Sequence, residues 1–286
     1  MRAEGMLFAA ALAAAMGLTS CSRGPERAPE VLAESVRSIP LDPADKAWTA
    51  APEHLAKLVP QDLVEPRLVT PTTPELLVRA LTDGSSIAFR LEWADDDQSD
   101  QTGPSRMADA CAVQMPTRRD KDLPDPQMGQ EDRPVYVTYW RADWQAAVNG
   151  RGDAIADLYP HAAVDHYPFE AGPLEANPAA KQEMAGRYAP AKILGNLRSG
   201  PRKTPVEPLI SAGPGTLTPV AWQGEDGKGV FAERRWRVVI KRKMPEGLRP
   251  GDRTAVAFAV WQGSKQESGA RKMRTGWIGL LWRANQ

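Results

Sequence analysis

About eight short β-prone runs, each stopped by glycine, proline or a polar cluster, constrain this chain more than any other feature. The clearest pair is residues 76–81 and 86–93, joined by Thr82-Asp83-Gly84-Ser85, a hairpin signal between two alternating stretches. Further runs lie at residues 108–115, stopped by Pro116, and at 134–140, 217–222, 236–241, 253–261 and 276–282. Runs this short match strands, and 26 Pro with 23 Gly leave little room for a helix bundle. The expected fold is all-β, an antiparallel immunoglobulin-like β-sandwich. One stretch breaks the rhythm. Residues from about 145 to 215 carry little alternation and many Ala and Pro, with a short helix predicted over 178–188 and Pro178 in its first turn. It reads as an irregular insertion with a few short helices, the kind of excursion that serves function or faces a partner.

The N-terminus carries a separate signal. Arg2 precedes an apolar run over residues 6–18, too short to span a hydrocarbon core of roughly 30 Å but suited to an export signal. The run ends in Leu18-Thr19-Ser20-Cys21, which resembles the bacterial lipoprotein box, where the cysteine is lipidated and becomes the first residue of the mature protein. Glu4 departs from the usual positive n-region, and the competing reading is an ordinary signal peptide with an incidental Cys21. The expected organisation is a signal peptide at 1–20, a polar tether at 21–40 and one folded domain at 41–286, with Trp48 an anchor near its start. Such a protein would be exported to the periplasmic side and held at a membrane by lipid.

Composition and motifs exclude several classes. Lys plus Arg and Asp plus Glu both number 36, so no basic field exists to favour nucleic acid. With Cys21 lipidated, Cys111 has no disulfide partner, and its setting in Ala110-Cys111-Ala112-Val113 suits a small buried hydrophobe. The chain has no CxxCH for covalent haem attachment, no CxxC pair, no HExxH, no GxSxG and no glycine-rich phosphate loop. Of the three histidines, His54, His161 and His166, the last two stand five apart among prolines and read as surface residues rather than a metal site. Asp95-Asp96-Asp97 offers oxygen ligands without the glycine and spacing of a calcium loop. No acid–base constellation emerges, so substrate chemistry is not expected of this chain.

Three separated blocks give a more specific signal. The first is Met128-Gly129, then Pro134-Val135 and Trp140-Arg141-Ala142-Asp143-Trp144; the second is Gly213-Pro214-Gly215-Thr216-Leu217, continuing to the run from Trp236 to Arg242; the third runs from Val256 to Gly263, with Arg271-Lys272 and Trp277. In this order they resemble the haem b-binding gamma subunit of ethylbenzene dehydrogenase, dimethyl sulfide dehydrogenase, selenate reductase and chlorate reductase. The resemblance implies a β-sandwich holding one non-covalent b-type haem. It also implies partners, an iron–sulfur beta subunit serving a molybdopterin alpha subunit, and a soluble or membrane redox carrier. Carried over by motif, it makes Met128 and Lys272 the axial ligands of the haem iron. Met115, at the end of the preceding run, is the alternative to Met128, and Met107 lies just before it.

The ligand pair is chemically coherent. A thioether favours ferrous iron and raises the potential. A lysine coordinates only as the neutral amine, which burial and a nearby cation both promote against an ordinary pKa of about 10.4. The competing reading is a lipid-anchored β-sandwich that binds carbohydrate or another protein, its nine tryptophans serving as stacking platforms.

Overall fold

The computed structural model describes residues 27–152, 155–161, 176–187, 193–194 and 202–284. Cys21, with the export signal, and His166 lie outside them. The strands in chain order are β1 (Val31–Ser35), β2 (His54–Lys57), β3 (Val59–Pro60), β4 (Glu75–Thr82), β5 (Ser86–Ala94), β6 (Ala110–Pro116) and β7 (Val135–Arg141). They continue as β8 (Val206–Ser211), β9 (Thr218–Pro219), β10 (Asp226–Ala232), β11 (Arg235–Lys243), β12 (Arg253–Trp261), β13 (Met273–Arg274) and β14 (Ile278–Trp282). Helices are short: α1 (Ala47–Ala50), α2 (Ala142–Val148), α3 (Ile155–Leu158) and α4 (Pro178–Arg187).

The expected sandwich is present, and its two layers share one strand. The first half of β12 pairs with β14, in a layer ordered β10-β11-β5-β4-β1-β14. Its second half pairs with β6 and β13, in a layer ordered β3-β13-β12-β6-β7-β8-β9. Alternation sorts each strand between two faces. Phe89, Leu91 and Trp93 of β5, Val113 and Met115 of β6, and Val256, Phe258 and Val260 of β12 all turn into the space between the layers. Edge-on contacts bridge that space, Phe89 to Phe258 at 5.8 Å and Trp140 to Trp236 at 5.0 Å between centroids. The Thr82–Ser85 turn joins β4 and β5 antiparallel, with Gly84 at φ +91° and Asp83 Oδ1 accepting from the Ser85 and Ser86 amides.

Three expectations need correcting. Residues 31–35, assigned to a tether, form β1, which inserts between β4 and β14 and runs parallel to both. Val31 and Ala33 point into the core and are buried to 1% and 0% exposure, so five residues suffice to close the layer. The sandwich is therefore antiparallel apart from this strand. Within the supposed insertion, residues 206–211 form β8, paired along β7, while residues 217–222 contribute only the two-residue β9. Strand β10, not among the expected runs, carries Gly227 and Gly229, residues that weaken a strand by themselves. In the fold they make room instead: a Cβ at Gly229 would overlap the ring of Trp140. The turn to β11 is Glu233-Arg234, both at positive φ, without the Asn-Gly that marks such turns.

Candidate functional site

The outer face of the second layer carries the cavity. Where alternation turns residues away from the core, β12 presents Ala257, Ala259 and Trp261, β6 presents Ala112 and Gln114, and β7 presents Val137 and Tyr139. Ala259, Ala112 and Tyr139 lie side by side in register, as do Ala257, Gln114, Val137 and Leu209. Three alanines on adjacent strands leave a shallow, flat floor. Loops raise walls around it and enclose about 490 Å³, within the range of about 300–1,000 Å³ usual for cofactor sites. Leu63, Val64 and Leu217, all more than 40% or close to 40% exposed, line the rim.

Lys272 stands on one side of the floor, just before β13. Its strand position is fixed by pairing of Met273 with Val260 and of Arg274 with Ala259. Buried Gln61 ties the neighbouring loop down: its backbone amide donates to the Lys272 carbonyl at 2.9 Å and its side-chain amide donates to the Ala270 carbonyl at 3.0 Å. The Lys272 amine lies 5.1 Å from the Trp261 ring centroid, and among the described residues it has no hydrogen-bond or ion-pair partner. Burial by the cavity walls, reinforced by the Arg274 charge, lowers its pKa to about 8. Lys265, on the same loop, is exposed.

The loop bearing these residues is anchored from below by a feature that the sequence reading missed. Asp109 is fully buried, and its carboxylate accepts from the amides of Ser99 (2.7 Å) and Gly263 (2.8 Å) and from Trp236 Nε1 (2.9 Å). Glu267, also buried, accepts from the Gln262 amide at 2.9 Å. Burial first, then the Asp95 charge, raises the Asp109 pKa to about 7, and burial raises that of Asp95 to about 6. Of the acidic triplet, Asp95 is buried and Asp96 and Asp97 are exposed. Asp109 is one unremarkable acid in sequence, and no local pattern marks it.

Met128 stands across the floor, at the far end of β7 and β8. Its carbonyl accepts from the Gly213 amide at 2.9 Å, joining the first and second sequence blocks. Gln114 on the floor donates to the Pro126 carbonyl at 3.1 Å, and Trp277 donates to the Pro124 carbonyl at 2.7 Å. Gly129 follows at φ +78°, where a Cβ would meet the Ser211 carbonyl at 2.9 Å, so only glycine lets the loop lie this close. Met128 itself sits at φ +71°, a left-handed conformation uncommon for an unbranched apolar side chain and often found at ligand clamps.

The structure thus brings Met128 and Lys272 to one cavity and leaves the other candidates elsewhere. Met115, one residue out of phase with Gln114, faces the core and is fully buried there. Met107 lines a separate, smaller cavity. His54 is buried with Nδ1 2.8 Å from the Ala28 carbonyl, and His161 is exposed. Among the described residues no cluster of three or more His, Cys, Asp or Glu could hold a metal ion. Seven of the nine tryptophans are buried, Trp222 is 38% exposed, and Trp261 is the tryptophan whose ring lines the cavity among the described residues.

Fold and cavity together define a β-sandwich with a ligand site on the outer face of one layer. The sequence model of the family described as ethylbenzene dehydrogenase matches residues 45–273, and the chain belongs to that family. A Haloferax mediterranei protein, provisionally named as the respiratory nitrate reductase heme subunit ORF7, is 24% identical over 257 residues, covering 87% of this chain and 71% of its own. Among solved structures, two of a family 9 carbohydrate-binding module from Caldicellulosiruptor kristjanssonii, one with glucose and one with cellotriose, align at a TM-score of 0.43 and 9% identity. Each alignment covers 90% of this chain, with 96% and 94% of the other.

Proposed function

We propose that the chain is an exported electron-transfer subunit that holds one non-covalent b-type haem between Met128 and Lys272. The observation that carries this reading is their convergence from remote segments on one flat-floored cavity that, among the described residues, no histidine, cysteine or carboxylate lines. The donor set fits the cofactor: a soft thioether, an amine disposed to be neutral, and an apolar floor of alanines for a planar ring. Family membership and the name of the haloarchaeal relative support the same reading. When bound, the haem supplies one-electron chemistry at iron.

The protein's part is to position and insulate. Met128 is fixed by its strained backbone and the Gly213 amide, so little reorganisation is needed to present its sulfur. Burial first, then the nearby Arg274 charge, bring the Lys272 pKa down to about 8, so the neutral amine that iron would take is easier to form than at an exposed lysine. Trp261, Leu217, Leu63 and Val64 keep the cavity apolar. The subunit would pass electrons to or from the iron–sulfur subunit of a molybdenum oxidoreductase complex of the nitrate, nitrite, chlorate, selenate, hydrocarbon or dimethyl sulfide class. Lipidation at Cys21 would hold that complex at the membrane; among the described residues no helix is long and apolar enough to cross one.

A reduced-minus-oxidised spectrum of full-length protein produced with ample haem tests the reading. A b-type band is expected, and Lys272→Ala should shift both the spectrum and the potential. Absence of the band would sink the electron-transfer assignment, and an unaltered Lys272→Ala spectrum would remove Lys272 as ligand.

A further inference from the structure

Among the described residues three cationic side chains line the cavity, Arg141, Lys272 and Arg274, and no acidic one does. They are not equivalent. Arg141 is already neutralised by Asp143, in a two-point pair with both hydrogen bonds at 2.8 Å. Lys272 is the amine assigned above to iron. Arg274 is different from both: its Nε is buried without a hydrogen-bond partner, and among the described residues its guanidinium has no ion pair. Its backbone is held on both sides, opposite Ala259 of β12 and Val59 of β3, so the residue is fixed at the margin of the alanine floor. Lys272 and Arg274 are two apart on an extended segment, and both side chains reach the cavity.

A guanidinium at a largely apolar wall loses hydration and regains it only from an anion with matching geometry. Among the described residues the cavity walls supply none. We infer that Arg274 binds a carboxylate of the cavity's occupant, which, resting on the haem reading above, is a haem propionate. Arg274 then sets the rotation of the ring in its plane, while Met128 and Lys272 fix the iron. An electrostatic clamp of this kind is a positioning device: it changes how tightly and in which orientation the ring is held, and leaves the ligand set alone.

The test uses full-length protein purified free of haem and titrated with haemin or with haemin dimethyl ester, whose propionates are blocked. Wild type should bind haemin about ten- to a hundredfold more tightly than the ester, the increment of a charge-assisted hydrogen bond. Arg274→Gln should remove most of that discrimination, lowering haemin affinity by a similar factor and ester affinity far less, the smaller loss reflecting the Arg274 charge near Lys272, and should keep the wild-type absorption bands; Arg274→Lys should recover part of the loss. Equal affinity of wild type for haemin and ester would overturn the assignment without recourse to any variant. So would an Arg274→Gln protein that still discriminates between them as wild type does. Failure of wild type to bind haemin in a b-type form would instead overturn the haem reading itself, and the propionate clamp with it.

Discussion

The Lys272 amine has been drawn from an ordinary pKa of about 10.4 to about 8 by burial and by Arg274. In the haem-free protein this is a cost at neutral pH. Between pH 8 and 10.5 the unfolded chain holds a proton that the folded chain has released, so stability from this group rises with pH through that window and is lost as pH falls through about 8. Lys272→Met should therefore stabilise the haem-free protein at pH 7 by about 1–3 kcal/mol, discounted for partial exposure. The gain should shrink as pH is raised toward 10.5, and denaturant titrations at both ends of the window would show it. A variant weaker than the parent at pH 7 would contradict the burial argument. Met128 makes the complementary case. Alanine there keeps the left-handed backbone and removes the sulfur, so haem-free stability should change by less than about 1 kcal/mol. The midpoint potential of the haem-loaded protein, measured by redox titration, should fall, since a thioether ligand raises it.

At the scale of elements, the cavity depends on a loop, residues 262–272, that has few apolar contacts of its own. Its base is pinned by Asp109 through Gly263 and by Glu267 through Gln262, and its far end by Gln61 through Ala270 and Lys272. Gly263 is required at the pin because a Cβ there would strike the Met107 carbonyl. Asp109→Asn keeps the shape but turns one acceptor into a donor facing an N–H group. It should cost about 2–3 kcal/mol and loosen the loop enough to weaken haem binding, while the spectrum of the bound fraction stays the same. Hydrogen exchange at Gly263 reads the effect directly; unchanged protection would mean that Asp109 is not the anchor. None of this was legible locally. The strands were read from alternation, and Met128-Gly129 and Arg271-Lys272 were read as blocks, but the acid beneath the loop belongs to β6's approach and meets Gly263 only in space.

For the whole molecule, the site is assembled from segments near residues 61–64, 112–139, 209–217 and 257–275, so an occupant ties together parts that are remote in sequence. Binding to the folded state alone stabilises by about 2.7 kcal/mol at a hundredfold excess over Kd. For a domain of this size that corresponds to a rise in Tm of about 5–10 °C. Thermal denaturation with and without haemin measures it, and a Tm indifferent to haemin would argue that the folded chain does not bind it. The same assembly from distant parts explains the misread boundaries. Strand β1 lies in a polar stretch because its neighbours β4 and β14 supply most of the apolar surface it joins. Strand β10 carries two glycines that its neighbours require, Gly229 against Trp140 and Gly227 against the Val239 carbonyl and Val206.

By itself the sequence determined the class of fold, through short alternating runs that can bury only one face at a time, and it marked Met128 and Lys272 through their blocks. It also separated them from Cys111 and from three uninformative histidines. Only the tertiary structure decided which face each strand shows. The switch of β12 from one layer to the other turns Ala257 and Ala259 outward beside Ala112, and that register makes a floor out of three residues that alternation alone marks merely as small. It also sends Met115 to the core and Gln114 to the cavity, since adjacent residues of a strand face opposite sides. Periodicity fixes how side chains alternate along a strand. Which side becomes core and which becomes cavity is set by long-range pairing, and no local stretch of this chain contains it.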